Sequence, residues 1–110
     1  MPNINNECGI TLDEVKELIG DDSMYCEYCM CEVYLIYLKH SGDQFTLERI
    51  DNNYGHSKTN VVISCWKCNE MRGAKYEYTG FRQAMREKVN GNNKLMNKLV
   101  RNYYINYYSN

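Results

Sequence analysis

Four cysteines in two Cys-x-x-Cys pairs are the residues of this 110-residue chain whose type and spacing indicate chemistry most directly. The pairs are Cys26 with Cys29 and Cys65 with Cys68. One such pair can supply two thiolates to a tetrahedral zinc ion, and two pairs complete a structural site with no open position. The cysteines therefore predict a bound Zn²⁺ that stabilises the fold but takes no part in a reaction.

Six cysteines could instead form the disulfide framework of a secreted domain. The short spacing within each pair favours metal binding, and residues 1–6 are polar and uncharged rather than apolar as in an export signal. We therefore expect a reducing, intracellular compartment. Cys8 is expected to be a partly buried thiol. Cys31 lies two residues after Cys29, which leaves open that it replaces a ligand.

A second group of polar residues lies between the two pairs. Thirty-five residues separate Cys29 from Cys65, whereas zinc ribbons usually have about 15–20, so a structured insertion is predicted between the two metal-binding turns. The insertion contains Leu-Glu-Arg-Ile-Asp over 47–51, Gly-His over 55–56 and Asn60, and the second pair runs directly into Asn69. Carboxylate, imidazole and amide groups beside a rigid metal site indicate a polar functional site.

An N-terminal helix and three strands are predicted before the second pair. Thr11 and Glu14 fit a capping box that starts a short amphipathic helix, and Gly20 is a plausible end to it. β-branched, aromatic and alternating residues predict strands over 33–38, 45–50 and 60–64, with a polar loop over 51–59.

Helices are predicted for the remainder of the chain. The second cysteine pair opens a helix that extends to about residue 74, and Thr79 is the expected N-cap of a helix that runs to residue 89. A last helix covers 93–107, and we expect its aromatic stripe to pack in the core rather than to stack on bases. The fold class is therefore α+β, a single domain over 1–110 with a core at about 24–75 and a C-terminal helical extension at about 79–108.

Charge is distributed unevenly along the chain, although the net charge is −1. Residues 1–65 hold four basic and eleven acidic side chains, whereas 66–110 hold nine basic and three acidic ones. A one-sided basic surface would attract phosphates, although solvated helix faces would give the same composition. No apolar run approaches the length that spans a bilayer, so no membrane partner is predicted. The basic residues of the second half are Lys67, Arg72, Lys75, Arg82, Arg86, Lys88, Lys94, Lys98 and Arg101.

The order of these motifs resembles the HNH, or ββα-metal, superfamily of nucleases. Three stretches carry the resemblance: Phe-Thr-Leu-Glu-Arg-Ile-Asp-Asn over 45–52, Gly-His-Ser-Lys-Thr-Asn-Val-Val over 55–62, and Cys-Trp-Lys-Cys-Asn-Glu-Met-Arg over 65–72. The matching part runs from residue 26 to about residue 75. The resemblance implies a small zinc-stabilised ββα-metal core and a metal-dependent endonuclease that hydrolyses DNA phosphodiester bonds. RNA stays open as a substrate, and a homodimer would suit cleavage of both strands.

The same resemblance implies a role for each polar residue. Glu48 and Asn69 would hold a catalytic Mg²⁺ or Mn²⁺, and carboxylate and amide oxygens suit such hard cations. The family usually has Asp at the position of Glu48. Asn60 corresponds to the central asparagine, whose side chain bridges backbone groups of the loop. Arg49 replaces the usual general-base histidine, and because arginine stays protonated, we expect it to bind the scissile phosphate.

The residue that activates the attacking water is left open. His56 is the first choice, because the ordinary pKa of imidazole suits a base at neutral pH. Tyr54, or a metal-bound water without a dedicated base, is the alternative. Asp51 is a candidate third ligand or partner for Arg49, and His40 is expected at the surface. The competing class of function is a catalytically degenerate, zinc-ribbon-like nucleic-acid-binding module, in which the arginine has replaced the base.

Overall fold

Four helices and four short strands make up the part of the chain that this computed structural model describes, residues 9–20, 24–35 and 42–109. The strands form two antiparallel pairs, β1 with β2 and β3 with β4, so the predicted α+β class is confirmed. In chain order the elements are α1 (Leu12–Ile19), β1 (Met24–Tyr25), β2 (Glu32–Val33), β3 (Phe45–Arg49), a 3-10 turn (Lys58–Asn60), β4 (Val61–Cys65), α2 (Trp66–Arg72), α3 (Tyr78–Val89) and α4 (Lys94–Ser109).

The hairpin of β3 and β4 leads directly into α2. Its register pairs Phe45 with Cys65 and Arg49 with Val61, so that each strand is paired along its whole length. Cys65 is both the last residue of β4 and the N-cap of α2, where its Sγ accepts a hydrogen bond from the backbone N–H of Cys68 at 3.4 Å. The predicted order of strand, loop, strand and helix is therefore present, with β4 and α2 each starting one residue later than predicted.

The core forms where α3 packs against the turn that joins β1 and β2. The Tyr28 and Phe81 side chains are fully buried, and their rings meet edge to face with centroids 5.0 Å apart. The Tyr76 ring stacks on Phe81, with centroids 5.9 Å apart. Because such aromatic pairs stabilise a fold beyond the area they bury, this cluster fixes α3 on the β1–β2 turn. Helix α4 packs along α3 and adds the buried side chain of Met96.

Helix α1 begins as predicted, with both hydrogen bonds of a capping box. The Thr11 Oγ1 accepts from the Glu14 N–H at 3.1 Å, and the Glu14 carboxylate accepts from the Thr11 N–H at 3.0 Å. The helix ends at Gly20, whose φ of +68° is costly for other residues. None of its residues is buried, so α1 lies at the periphery of the core.

Two predicted elements differ in the structure. The strand predicted over 33–38 ends at Val33, after which Tyr34 forms only a single parallel bridge with Gln44. Helix α3 begins at Tyr78 rather than after Thr79, because the Phe81 N–H donates to the carbonyl oxygen of Glu77, which makes Glu77 the N-cap. The Tyr78 hydroxyl in this first turn donates a 2.6 Å hydrogen bond to Glu27. Residues 36–41, including His40, and Cys8 lie outside the described residues.

The expectation that the aromatic stripe of α4 packs in the core holds only in part. Tyr103 is half-buried and meets the Tyr76 ring edge to face at 5.7 Å, whereas Tyr104, Tyr107 and Tyr108 are exposed. Helix α4 has 16 residues and α3 only 12. Gly80 in the first turn of α3 faces the Leu99 side chain near the middle of α4, so the last turns of α4 extend beyond α3. Within the described ranges, no helix is long and apolar enough to cross a bilayer.

Candidate functional site

The four cysteines of the two Cys-x-x-Cys pairs lie together, with their Sγ atoms all within 4.8 Å of one another. The Cys29 and Cys65 sulfurs are 3.8 Å apart. Zn–S bonds of about 2.3 Å in a tetrahedron place sulfur ligands about 3.8 Å apart. Cys26, Cys65 and Cys68 are buried, and Cys29 is partly exposed. The cluster is therefore positioned to hold a metal ion and is consistent with structural zinc.

Two tight turns bring the sulfurs together. In the first, the backbone N–H groups of Tyr28 and Met30 donate to the Sγ and the carbonyl oxygen of Cys26, at 3.4 and 3.0 Å. Met30 has a φ of +67°, which lets the chain reverse direction at once. The second turn is the start of α2, where the Cys65 Sγ serves as the N-cap acceptor. Each pair thus directs a backbone N–H at its first sulfur, which favours a thiolate there.

The thiols of the cluster shift one another's pKa values in opposite directions. Hydrogen bonds from Cys65 and Cys68 lower the pKa of Cys26 far below its usual value. The same contact with Cys26 raises the pKa of Cys65 to about 11 and also raises that of Cys68. The protein alone therefore opposes several thiolate charges at this place, and a bound cation would offset their repulsion.

Cys31 is not part of the four-sulfur cluster. Its Sγ lies 3.8 Å from a carboxylate oxygen of Asp43, and burial is the main cause that raises the pKa of its thiol. A neutral thiol beside a carboxylate is a poor metal ligand, because the thiolate is the ligating form. The structure therefore groups the two pairs without Cys31.

Four of the five polar residues predicted for the second site border one open cavity of about 390 Å³. The cavity lies between β3, the loop that follows it and the end of α2. It is lined by Leu47, Glu48, Arg49, Asn52, His56, Asn69, Gly73 and Ala74. The hairpin and the helix thus bring together a carboxylate, a guanidinium, an imidazole and an amide that are up to 21 positions apart in the sequence.

The fifth residue, Asn60, does not line this cavity but forms hydrogen bonds with the backbone of the loop. Its Oδ1 accepts a hydrogen bond from the Asp51 N–H at 2.9 Å, and its Nδ2 donates to the carbonyl oxygens of Asp51 and Gly55, both at 3.0 Å. These three bonds close the loop immediately before His56. The Asp51 carboxylate itself accepts from the Asn53 N–H at 2.9 Å, which places it in a turn of this loop rather than on the cavity.

Arg49, His56 and Asn69 are partly exposed, whereas Glu48 is buried. The Arg49 Nη1 donates to the carbonyl oxygen of Tyr54 at 3.3 Å, so the loop also orients the guanidinium. The Tyr54 side chain is exposed and does not line the cavity. Of the two side chains considered as a general base, only His56 therefore borders the cavity.

Glu48 is the most enclosed of the four polar residues on the cavity. It is only 5% exposed, and burial raises the pKa of its carboxyl group, with the Tyr28 hydroxyl and the Arg72 guanidinium acting in the opposite direction. Its Oε2 lies 3.6 Å from the Arg72 Nη1 and has no hydrogen-bond partner among the residues that the structure describes. A buried carboxylate oxygen without a hydrogen bond fits a divalent cation, and Asn69 offers an amide oxygen on the same cavity.

Arg72 was counted among the basic residues of the second half, for which a phosphate-attracting surface or solvated helix faces were expected, but the structure buries it. The side chain is 2% exposed. Its guanidinium donates to the carbonyl oxygens of Arg49 at 2.6 Å, Ile50 at 2.8 Å and Tyr76 at 3.0 Å, and to the Tyr28 hydroxyl at 3.3 Å. It therefore ties the end of β3 to the chain after α2. Its position four residues after Cys68 was the available signal, because i and i+4 share a helix face.

Two further arginines of the expected basic surface hold the metal-binding turn. The Arg82 Nε forms a 2.7 Å ion pair with the Glu27 carboxylate, and Arg86 donates twice to the Glu27 carbonyl oxygen, at 2.9 and 2.7 Å. Glu27 lies inside the first Cys-x-x-Cys pair, so α3 is fixed directly to the cluster. The exposed basic residues of this half are Lys67, Lys75, Lys88, Lys94, Lys98 and Arg101.

The fold and the site define a small α+β domain with a four-cysteine cluster that could hold a metal ion, and with a separate polar cavity. No protein-family model matches the chain, and neither a curated protein nor a solved structure matches it. The function must therefore be argued from the geometry of the cluster and the cavity.

Proposed function

We propose that this chain is a metal-dependent endonuclease of the HNH type that hydrolyses phosphodiester bonds in DNA. The observation that carries the proposal is the convergence of Glu48, Arg49, His56 and Asn69 on one cavity. Hydrolysis of a phosphodiester needs a base for the water, positive charge for the phosphate and a ligand set for a cation. These four side chains offer all three beside the rigid cysteine cluster.

Two metal ions with different tasks are part of the proposal. The cysteine cluster would hold a structural Zn²⁺, which has no open position for a substrate. Glu48 and Asn69 would hold Mg²⁺ or Mn²⁺ through oxygen atoms. When bound there, such a cation stabilises the negative charge that develops on the phosphate and the leaving oxygen.

Arg49 would bind the scissile phosphate. One of its donors is used in the bond to the Tyr54 carbonyl oxygen, and this bond fixes the direction of the guanidinium. The planar fork of arginine matches two oxygens of a phosphate group. Because the group keeps its charge at every useful pH, its task is to orient the phosphate rather than to move a proton.

His56 would take the proton from the attacking water. Asn60 acts as its positioning residue, because it holds the Gly55 carbonyl oxygen and both backbone groups of Asp51. A displacement of the base by about 1 Å can reduce a rate about 100-fold, so the loop has to be rigid. The exposed basic residues of α4 would add long-range attraction for DNA.

The alternative is a catalytically degenerate module that only binds nucleic acid. The observation that favours it is the pair of Glu48 and Arg72, because the carboxylate is enclosed and already lies 3.6 Å from a cationic group. That guanidinium would compete with a metal ion for the same carboxylate oxygen. Activity therefore decides between the two functions.

The test is nicking of supercoiled plasmid in Mg²⁺ or Mn²⁺. We expect the wild type to nick, and we expect Glu48→Gln and Asn69→Ala to lose at least about 100-fold in rate, as when one group that stabilises the transition state is removed. Gln keeps the volume of Glu48, and zinc content and helix content are measured for both variants so that a loss of nicking is separated from a loss of the fold. Glu70→Gln and Asn97→Ala change exposed residues of the same types and should nick like the wild type. Retardation of DNA without nicking in either metal would establish the binding module instead.

A further inference from the structure

A row of cavities leads from the candidate active site towards α4. The first cavity beyond the active site has a volume of about 660 Å³ and shares Asn52 and Ala74 with it. A second cavity, also of about 660 Å³, adjoins the first and lies between the start of α3 and the last turns of α4. We call this second cavity the α4 trough. The residues common to the first cavity and the α4 trough are Lys75, Tyr76, Glu77 and Thr79.

The lining of the α4 trough is aromatic and amide-rich, and its formal charges cancel. The Tyr103 and Tyr107 rings lie 6.1 Å apart and tilted by 30°, and the side chains of Asn102 and Asn106 lie beside them. Its charged residues are one lysine and one glutamate, and the lysine ammonium lies 5.8 Å from the centre of the Tyr103 ring. Such a lining suits the flat faces and polar edges of nucleic-acid bases better than it suits phosphates.

We infer that the α4 trough binds unpaired bases of single-stranded DNA next to the scissile phosphate, with a base stacked on Tyr107. The inference rests on the proposed function, because the row of cavities begins at the proposed active site. Bases inside a duplex are stacked on each other and cannot enter such a trough. The substrate class would therefore be DNA with a single-stranded segment adjoining the cleavage position.

Two observations agree with a nucleic acid as the occupant. Tyr107 lines the trough and is 62% exposed, so much of its side chain is accessible to a base. Helix α4 contains three basic residues and no acidic residue, so its charge attracts a polyanion to the element that carries the tyrosines.

The adjacent tyrosines of α4 provide a matched test. Tyr107 lines the trough, whereas Tyr108 is 78% exposed and does not. Binding is measured by fluorescence anisotropy with labelled oligothymidylate of about 12 nucleotides, within the usual site size for single strands, and with a duplex of equal length. The buffer contains Ca²⁺ in place of Mg²⁺ so that the DNA stays intact. We expect Tyr107→Ala to weaken single-strand binding about tenfold or more, and Tyr108→Ala to change it less than about twofold.

Three results would overturn the inference. The wild type could bind the duplex more tightly than the single strand, or the Tyr107→Ala and Tyr108→Ala variants could lose single-strand binding equally. The third is a dimer that Tyr107→Ala converts to a monomer while single-strand binding is unchanged.

Plasmid nicking in Mg²⁺ separates this inference from the proposed function. Single-strand binding that depends on Tyr107, without any cleavage, would remove the endonuclease and leave the α4 trough as a binding site. Cleavage by a protein whose single-strand binding ignores Tyr107 would remove the trough alone.

Discussion

Replacing Arg72 with alanine is expected to lower the free energy of unfolding by about 4–5 kcal/mol. The guanidinium donates to three carbonyl oxygens at 2.6, 2.8 and 3.0 Å, and hydrogen bonds from a charged donor stabilise by about 1.5–3 kcal/mol each. Removal of one partner of a buried ion pair costs about 3–5 kcal/mol, because the other charge is left uncompensated. Because these costs overlap in one side chain, they do not add. The expected loss is nevertheless a large part of an ordinary free energy of unfolding of about 5–15 kcal/mol.

Urea unfolding of the zinc-bound protein measures this loss, with the fluorescence of Trp66, the single tryptophan, as the signal. Arg101→Ala is the matched control, because Arg101 is exposed on α4, and it should change stability by less than about 0.5 kcal/mol. Arg72→Lys should lose about 2–3 kcal/mol, because an ammonium group cannot reproduce the fork that reaches three carbonyl oxygens. An Arg72→Ala variant as stable as Arg101→Ala would refute the structural role of this arginine.

The electrostatic part of the stability lost in Arg72→Ala can be separated from the hydrogen-bonding part by its dependence on pH. Burial raises the pKa of Glu48 from its ordinary value of 4.5, and removal of Arg72 would raise it further. A carboxyl group with a raised pKa in the folded state favours folding in its protonated form. That contribution is present below pH 4.5 and is lost as the pH rises through the folded-state pKa. The free energy of unfolding of the Arg72→Ala variant should therefore fall with rising pH relative to that of the double variant Arg72→Ala/Glu48→Gln. Effects of pH on the zinc site are common to both variants and cancel in the difference.

Three further predictions concern the elements that support the site. Cys68→Ser should lose its zinc and unfold, whereas Cys31→Ser should retain one zinc per chain, as measured by elemental analysis of the reduced protein; equal zinc contents in the two variants would contradict the four-sulfur cluster. Asn60→Ala should lose about 1–3 kcal/mol and accelerate amide hydrogen exchange over residues 51–60, since it leaves loop backbone groups unpaired, and unchanged exchange would disprove its role in the loop. Phe81→Ala should lose about 3–5 kcal/mol in thermal unfolding because the ring is fully buried, and a loss below about 1 kcal/mol would contradict the packing of α3 described above.

Features set by neighbouring residues could be predicted from the sequence. The capping box of Thr11 and Glu14 spans four residues, as does each Cys-x-x-Cys turn, so the local pattern nearly fixes the geometry. The hairpin and the helix after it follow from alternation and spacing, which is why the cavity contains the polar residues that the motifs singled out.

Features set by distant residues could not be predicted. The contacts of Arg72 reach 44 residues back to Tyr28 and 23 residues back to Arg49, and its spacing from Cys68 indicates a shared helix face but not these partners. The enclosure of Glu48 depends on that same side chain. How far the α4 tyrosines are buried depends on the length of α3, because α3 does not cover the part of α4 that extends beyond it.

The double position of Cys65, at the end of β4 and in the sulfur cluster, links metal binding to strand pairing. Because side chains alternate along a strand, a slip of one residue between β3 and β4 would turn Cys65 to the opposite face of the hairpin. A misaligned chain could then offer only three of its four sulfurs to an ion. Metal binding would thus stabilise hairpins with the native register during folding, whereas hairpins with a shifted register would stay free to open and pair again.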